Sequence, residues 1–522
     1  MKRTQNISAI LKSPAMTSSS WQILAVALAC TVYLYFNLFT LQGLPQFLGG
    51  DQVYFWTGAQ QLLDGQTPYR DFFQYTTPGS DLIFAAFFKV FGADIWVTNA
   101  VVLALGVSSA CVAFSLSRKL MRVEMAALCT AFYLVLIYGR ALNATHHWFA
   151  AIFILLAIGA CMEKVDSKRI AASGALLGLA AFFNQAHGAA ALIGFAVFLL
   201  CRGIRIGLAP IHVVRLLALL FAAFSLVLVP SLAYYVATAG PQRVWYCLVT
   251  AVSEYLRQYS PPSLGIPYRT LTWRDVPGAA SYLSVYILLP IVYGLSLWRC
   301  WRLRKTPSFP WDRIALLSLV GLSLLLEIAV SVNWLRLFAI SPPGIILAVW
   351  MVRDLPARHR LVFLAASIVI CGVAIHQVIA KHLVSNASGE LPGGRFVATP
   401  QIQEKMSWLA EHTREGEFLF QSGWPSVYVP LKLRNPLYFP SVGRPDGVRD
   451  QDVERIIQQL EAKQVRYVLW PHHLDEDCKS NPCNDYLFQL RAYLNSSYTL
   501  ARTFSDGDAL WLRSGASTFD RR

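Results

Sequence analysis

The chain has 522 residues, 55% of them hydrophobic and only 14% charged, with a mean hydropathy of +0.44. That composition excludes a soluble globular protein and a disordered chain, and it points to a polytopic membrane protein. The formal net charge of +15 then reads as topogenic Lys and Arg rather than as a nucleic-acid surface, since no polybasic tail accompanies it.

Apolar stretches with cationic flanks fall near 21–41, 96–117, 123–139, 147–162, 170–186, 188–201, 213–236, 278–298, 314–331, 337–352 and 361–380. At roughly 20 residues per crossing they make about eleven spans, the fifth and sixth of them short. The first lacks a small-residue cleavage site and reads as a retained signal anchor. Lys2, Arg3 and Lys12 precede it, and every second loop afterwards is basic, from Arg118/Lys119/Arg122 to Arg353/Arg358/Arg360. The positive-inside rule makes those loops and the N-terminus cytoplasmic. The 48–95 loop, the 237–277 loop and everything after residue 380 then lie on the outer side. The expected fold class is mostly α, a transmembrane bundle over 1–380 with an external loop at 42–95. A linker at 381–394 leads to a small extracytoplasmic α/β domain at 395–522.

The first loop is the most informative segment. From Asp51 to Leu63 the spacing of Val53, Trp56, Ala59, Gln60 and Leu63 predicts a helix that stops at Asp64-Gly65. Pro68, Tyr69 and Pro78 beyond it are turn chemistry. Asp51 follows Gly49-Gly50 at the membrane surface, where it is either a general base or an N-cap. Arg140 in YGRALNATHHWF is a candidate for a phosphate. His146 and His147 beside it would hydrogen-bond a sugar or hold a divalent metal together with Asp51. His187 in FFNQAHGAA is either a substrate contact or a satisfied polar group. The 237–277 loop interleaves aromatics with Glu254, Arg257 and Arg269, which suits sugar stacking and phosphate binding or an interfacial aromatic belt. Arg336, at the outer end of a span and just before Pro342-Pro343, is the first choice for a leaving phosphate, because a guanidinium matches phosphate with two bonds; a snorkelling arginine is the alternative.

Beyond residue 395 the pattern alternates. TPQIQEKMSWLAEHT and DQDVERIIQQLEAKQ read as helices, EFLFQSG and VRYVLW as strands, and YTLARTFSDGDALWLR as a hairpin turning at Asp506-Gly507. Most of the ten cysteines sit singly in apolar spans, whereas Cys478 and Cys483 in DCKSNPC are either a disulfide or two thiols.

The run Gly-Asp-Gln-Val-Tyr at 50–54, with Ala59, Leu62-Leu63, Gly65, Pro68-Tyr69-Arg70-Asp71 and Pro78, resembles the first external loop of the GT-C glycosyltransferases that use polyprenyl-phosphate sugars. The resemblance is nearest to the protein O-mannosyltransferase and aminoarabinose transferase group, and in layout it extends over the whole chain. It implies that Asp51 deprotonates an acceptor hydroxyl as that oxygen attacks the anomeric carbon, and that Tyr54, Tyr69 and Asp71 of the same loop contact substrate. The chain departs from the family at Gln52, where many relatives carry an acid, and at Asn184-Gln185, where relatives often carry Lys.

The expected function is therefore an inverting integral membrane glycosyltransferase of the inner (plasma) membrane. Its donor is a polyprenyl-phosphate sugar, and its acceptor is a lipid-linked glycan or a protein hydroxyl. No nucleic-acid partner and no firm cofactor is expected. The alternative is a transporter or flippase of lipid-linked sugars, a class that places ionisable residues and broken helices at the bilayer midplane. Here intramembrane charge is sparse, Glu327 being the clearest case.

Overall fold

The computed structural model describes residues 18–258, 276–331, 333–382, 386–387, 389–443, 447–475 and 485–515. Every apolar stretch read from the sequence holds a helix within them. The first span is α1 (Ser18–Leu38), and the first loop contributes the amphipathic α2 (Gln52–Leu63) and α3 (Gly79–Phe91). The bundle continues through α4 (Ile95–Arg118), α5 (Val123–Phe132, extended by a wider π turn over Tyr133–Ile137 and a tighter 3-10 turn over Tyr138–Arg140), α6 (His146–Glu163), α7 (Ser167–Phe183), α8 (Gln185–Ile206) and α9 (Pro210–Ala239). Two short helices, α10 (Pro241–Trp245) and α11 (Ala251–Gln258), precede α12 (Val276–Arg302), α13 (Trp311–Ile328), α14 (Trp334–Ile340), α15 (Pro342–Val352) and α16 (Ala357–His382).

Among the described residues seven helices are long and apolar enough to cross a membrane, namely α1, α4, α5 with its extension, α6, α8, α9 and α16. The pair α14–α15, bent by 57°, is an eighth span or a re-entrant loop. The bend falls where Pro342-Pro343 removes two helical donors. Helix α7 has only 17 residues, and α13 carries Asp312, Arg313 and Glu327. Small residues let α7 lie directly on α9. A Cβ on Gly174 would stand 2.4 Å from the carbonyl oxygen of Leu220, and one on Gly178 would stand 2.7 Å from that of Phe224, so the two backbones touch.

The basic loops meet at one end of the bundle. Arg202 and Arg205 both pair with Asp312, at 2.9 and 3.1 Å, Arg299 pairs with Asp354 at 2.7 Å, and Arg313 donates to the carbonyls of Met162 and Lys119. The first loop and the C-terminal unit meet at the other end. The amide of Phe47 donates to Val397 O (2.7 Å) and that of Val397 to Pro45 O (2.8 Å), while Arg434 pairs with Asp64 at 3.2 Å. Thr57 on α2 donates to Pro425 O at 3.4 Å, and Phe73 N to Tyr438 O at 2.8 Å. Part of the segment read as a linker is also docked: Leu391 is buried, and Gly393 N donates to Pro430 O at 2.7 Å.

A two-residue pair, β1 (Asn386–Ala387) with β2 (Val397–Ala398), leads into the C-terminal unit. That unit holds α17 (Pro400–His412), β3 (Leu419–Gln421), α18 (Tyr428–Leu431), α19 (Asp452–Ala462), β4 (Tyr467–Trp470), α20 (Phe488–Ser497), β5 (Tyr498–Thr503) and β6 (Ala509–Arg513). Its sheet runs β3-β4-β6-β5, with β3 and β4 parallel and the other pairs antiparallel. The β5–β6 hairpin turns at Gly507, whose φ of +86° suits glycine. The fold class is thus a helical membrane bundle with a small α/β unit after it.

Candidate active site

Gly50, with φ +80°, turns the chain sharply into α2 and places Asp51 at the N-terminal flank of that helix. Asp51 is no cap: its backbone is helical, and its carboxylate accepts no hydrogen bond and forms no ion pair among the described residues. Gln52 does the anchoring instead. Wholly buried, it donates to Leu48 O at 2.8 Å and accepts from the amide of Ala144 at 3.3 Å, so the start of α2 is tied to the turn before His146. The amide that stands where many relatives carry an acid therefore has a structural task. Burial pushes the Asp51 carboxyl up, and the Arg336 guanidinium draws it part of the way back.

Arg336 comes from α14, whose first turn is capped by Asn333 accepting from the Arg336 amide at 2.9 Å. The guanidinium donates to Ser331 O at 3.3 Å and has no ion-pair partner among the described residues. It is near enough to Asp51, His146, His147 and Glu327 to act on all four electrostatically.

A buried chain of polar groups lies behind these two residues. Asn184, at the α7–α8 break, caps α8 through Oδ1, which accepts from the amides of Ala186 and His187 at 3.1 Å each. Its Nδ2 faces His147 Nδ1 at 3.1 Å, and His187 Nε2 faces the same atom at 2.9 Å. His187 Nδ1 in turn meets Glu327 Oε2 at 2.7 Å. His146 stacks on His147 with ring centroids 3.9 Å apart, and its Nδ1 is buried with no partner among the described residues. An aromatic wall runs from this cluster to the C-terminal unit: His146 to Tyr75 at 5.9 Å, Tyr75 to Tyr54 at 6.4 Å, and Tyr54 to the half-exposed Trp424 at 5.4 Å.

Five of the residues singled out in the sequence are thus brought together, namely Asp51, Arg336, His146, His147 and His187, and Tyr54 lies on the adjoining wall. Others are elsewhere. Tyr69, wholly buried at φ +67°, spends its hydroxyl on Thr76 O at 2.8 Å, and Asp71 holds the Thr67 amide and pairs with Arg70 at 2.7 Å. Arg140 is exposed and donates to Gln377 at 3.3 Å. Glu254 lies in the field of Arg449 beside Tyr246. Arg269, Cys478 and Cys483 lie outside the described residues.

Sequence reasoning overlooked Asn184 as an anchor, Glu327 as a partner of His187, Trp424, and the buried Asp81. Gln74 Nε2 donates to both Asp81 carboxylate oxygens at 2.9 and 2.8 Å, and burial pushes that carboxyl well up. The signal for Glu327 was its place, a carboxylate inside the apolar stretch 314–331. For a divalent metal, no three His, Cys, Asp or Glu among the described residues converge as ligands. The nitrogens of His187 and Nδ1 of His147 already have hydrogen-bond partners.

No family model and no curated protein matches the sequence. Solved structures do. ArnT from Cupriavidus metallidurans, bound to undecaprenyl phosphate, superposes with a TM-score of 0.57 at 12% identity, over 96% of this chain and 99% of that one. In the apo state the same protein gives a TM-score of 0.58 over 95% and 98%. The archaeal oligosaccharyltransferase AglB from Archaeoglobus fulgidus, in complex with an inhibitory peptide and a dolichol-phosphate, gives 0.50 at 12% identity, over 95% of this chain and 74% of that one. With its helical bundle, its Asp51 loop and its C-terminal α/β unit laid against that loop, the chain has the GT-C fold of these proteins.

Proposed function

We propose that this protein is an integral membrane glycosyltransferase that moves a sugar from a polyprenyl-phosphate donor to an acceptor hydroxyl. The observation that carries this reading is Asp51, a carboxylate that among the described residues is neither cap nor ion pair yet lies in the field of Arg336, which has no ion-pair partner there either. An inverting displacement needs such a set, a base on one face of the sugar and positive charge for the departing phosphate on the other. Asp51 takes the hydroxyl proton, the hydroxyl oxygen attacks the anomeric carbon, and the carbon–oxygen bond to phosphate breaks with its electron pair on the phosphate oxygen. Arg336 stabilises that charge. Tyr54, Tyr75 and Trp424 offer stacking faces to a sugar or an acceptor. The lipid phosphates bound by ArnT and AglB support a lipid-phosphate donor, and Asn184-Gln185 leaves Arg336 as the cation best placed to hold it.

The segregation of basic loops from the Asp51 loop supports an extracytoplasmic site in the plasma membrane, with the C-terminal unit on the same side. We keep as a proposal the division into 1–380, 381–394 and 395–522. The test is release of polyprenyl phosphate from a polyprenyl-phosphate sugar by purified protein in lipid, on addition of acceptor. Movement of the intact lipid-linked sugar across the bilayer, with no release, would establish the flippase alternative, which the bend between α14 and α15 and the intramembrane Glu327 favour.

A further inference from the structure

The hydrogen bonds around His187 fix a proton count. Asn184 Oδ1 is committed to two amides, so Nδ2 is the atom facing His147, and an amide nitrogen only donates. His147 Nδ1 is therefore an acceptor. His187 Nε2 lies 2.9 Å from that same acceptor and must carry hydrogen. The other nitrogen, Nδ1, lies 2.7 Å from Glu327 Oε2, and a contact of that length needs a proton between them. Whether the proton resides on nitrogen or on oxygen, the His187–Glu327 pair holds one shared proton and is neutral overall.

The two members of the pair are unequally buried. His187 is 1% exposed and faces a cavity of about 10 Å³ lined by Leu324, Ala339, Ile340, Pro342 and Pro343, whereas Glu327 keeps 20% of its side-chain exposure. The titratable groups that act on the pair are Arg336 from α14, on Glu327, and His146 and His147 from α6, on His187, while Asp51 before α2 shares the field of Arg336. Of these, Arg336 alone carries a permanent positive charge.

We infer that the shared proton of His187 and Glu327 sets how much of the Arg336 charge is available to a lipid phosphate, an inference that rests on the reading under "Proposed function". With the proton in place the pair is neutral and Arg336 is free for the phosphate. When rising pH removes it, the pair becomes an anion beside Arg336 and competes for the guanidinium. His187 and Glu327 act through Arg336 and are positioning residues.

The probe is the methyl ester of undecaprenyl phosphate, a phosphodiester whose single charge is constant between about pH 5 and about pH 9. Wild-type protein in lipid should bind it on the order of tenfold more weakly at the alkaline end. Glu327→Gln, which mimics the protonated acid and still donates to His187 Nδ1, should retain the low-pH affinity and lose the weakening. Asp51→Asn should keep the weakening, because the pair is intact in it. The wild-type profile stands on its own should Glu327→Gln not fold. Equal affinity at both ends of the range in wild type, or an unchanged decline in Glu327→Gln, overturns the inference and leaves the proposed function standing. No binding at any pH overturns the lipid-phosphate reading and the inference with it.

Discussion

Gly58 of α2 lies against Asp81 of α3 so closely that a Cβ on the glycine would stand 2.0 Å from the Asp81 Oδ1 and 3.0 Å from its Cγ. The helix that begins just after Asp51 is seated on a carboxyl that is itself wholly buried and held by Gln74. Gly58→Ala should therefore lower the thermal midpoint, at a cost of about 1–3 kcal/mol for overpacking, and should reduce transfer by displacing α2. Thermal unfolding in detergent checks it. An unchanged midpoint would mean that α2 and α3 part easily.

Asp51→Asn removes the proposed base and keeps the shape. Turnover should fall by a factor of about 10² to about 10⁴, with the melting temperature and the binding of polyprenyl phosphate little changed. Wild-type turnover in that variant would exclude Asp51 as the base.

The pH profile follows from the surroundings of Asp51. Burial raises its carboxyl and Arg336 lowers it; a base acts only when ionised, so the acid limb of kcat/KM should fall at a pH above the usual carboxylate range. Arg336→Ala withdraws the lowering influence, so in that variant the limb should move further up in pH. A limb that stays in place, or moves down, would show that Arg336 does not act on the base.

Arg336 is also the expected partner of the donor phosphate. Arg336→Ala should weaken apparent donor affinity by about 1.5–3 kcal/mol, and Arg336→Lys, which keeps the charge and loses the planar fork, should fall in between. Arg140→Ala, whose side chain faces Gln377, should leave donor affinity near wild type. Titration with polyprenyl-phosphate sugar decides between them and Arg269.

A reporter fused after residue 395 should be active only outside the cytoplasm, because about eleven spans from a cytoplasmic N-terminus end on the far side. Activity only in the cytoplasm would mean an even number of crossings. The bent α14–α15 pair and the short α7 are where a crossing would be lost or gained.

Local signals carried the fold far. The spacing of Val53, Trp56 and Ala59 and the stop at Asp64-Gly65 marked α2, and Asp506-Gly507 marked the hairpin. Both depend on residues within one or two turns of each other. The polar chain depends on packing instead. His187 and Glu327 are 140 positions apart, and Gln52 and the amide it accepts from are 92 apart, so no local pattern joins them. Asp51 was ambiguous for the same reason, since whether its side chain caps α2 is settled only in the folded chain, where it makes no cap hydrogen bond. Tyr69 and Asp71 are substrate contacts only by resemblance, and the local partners the fold gives them, Thr76 O and the Thr67 amide, could not be read from the sequence.

The hydrogen bonds that join Pro45 and Phe47 to Val397, and Thr57 to Pro425, 368 positions further on, bear on how the protein is made. The ribosome delivers the loop bearing Asp51 early, and its partner segments emerge only when most of the chain has been inserted. The loop must wait in an unfinished state through the insertion of the intervening helices, exposed to premature contacts of the kind that long chains risk. A product that terminates before Val397 would carry every apolar stretch and lack the segments to which Pro45, Phe47 and Thr57 bond.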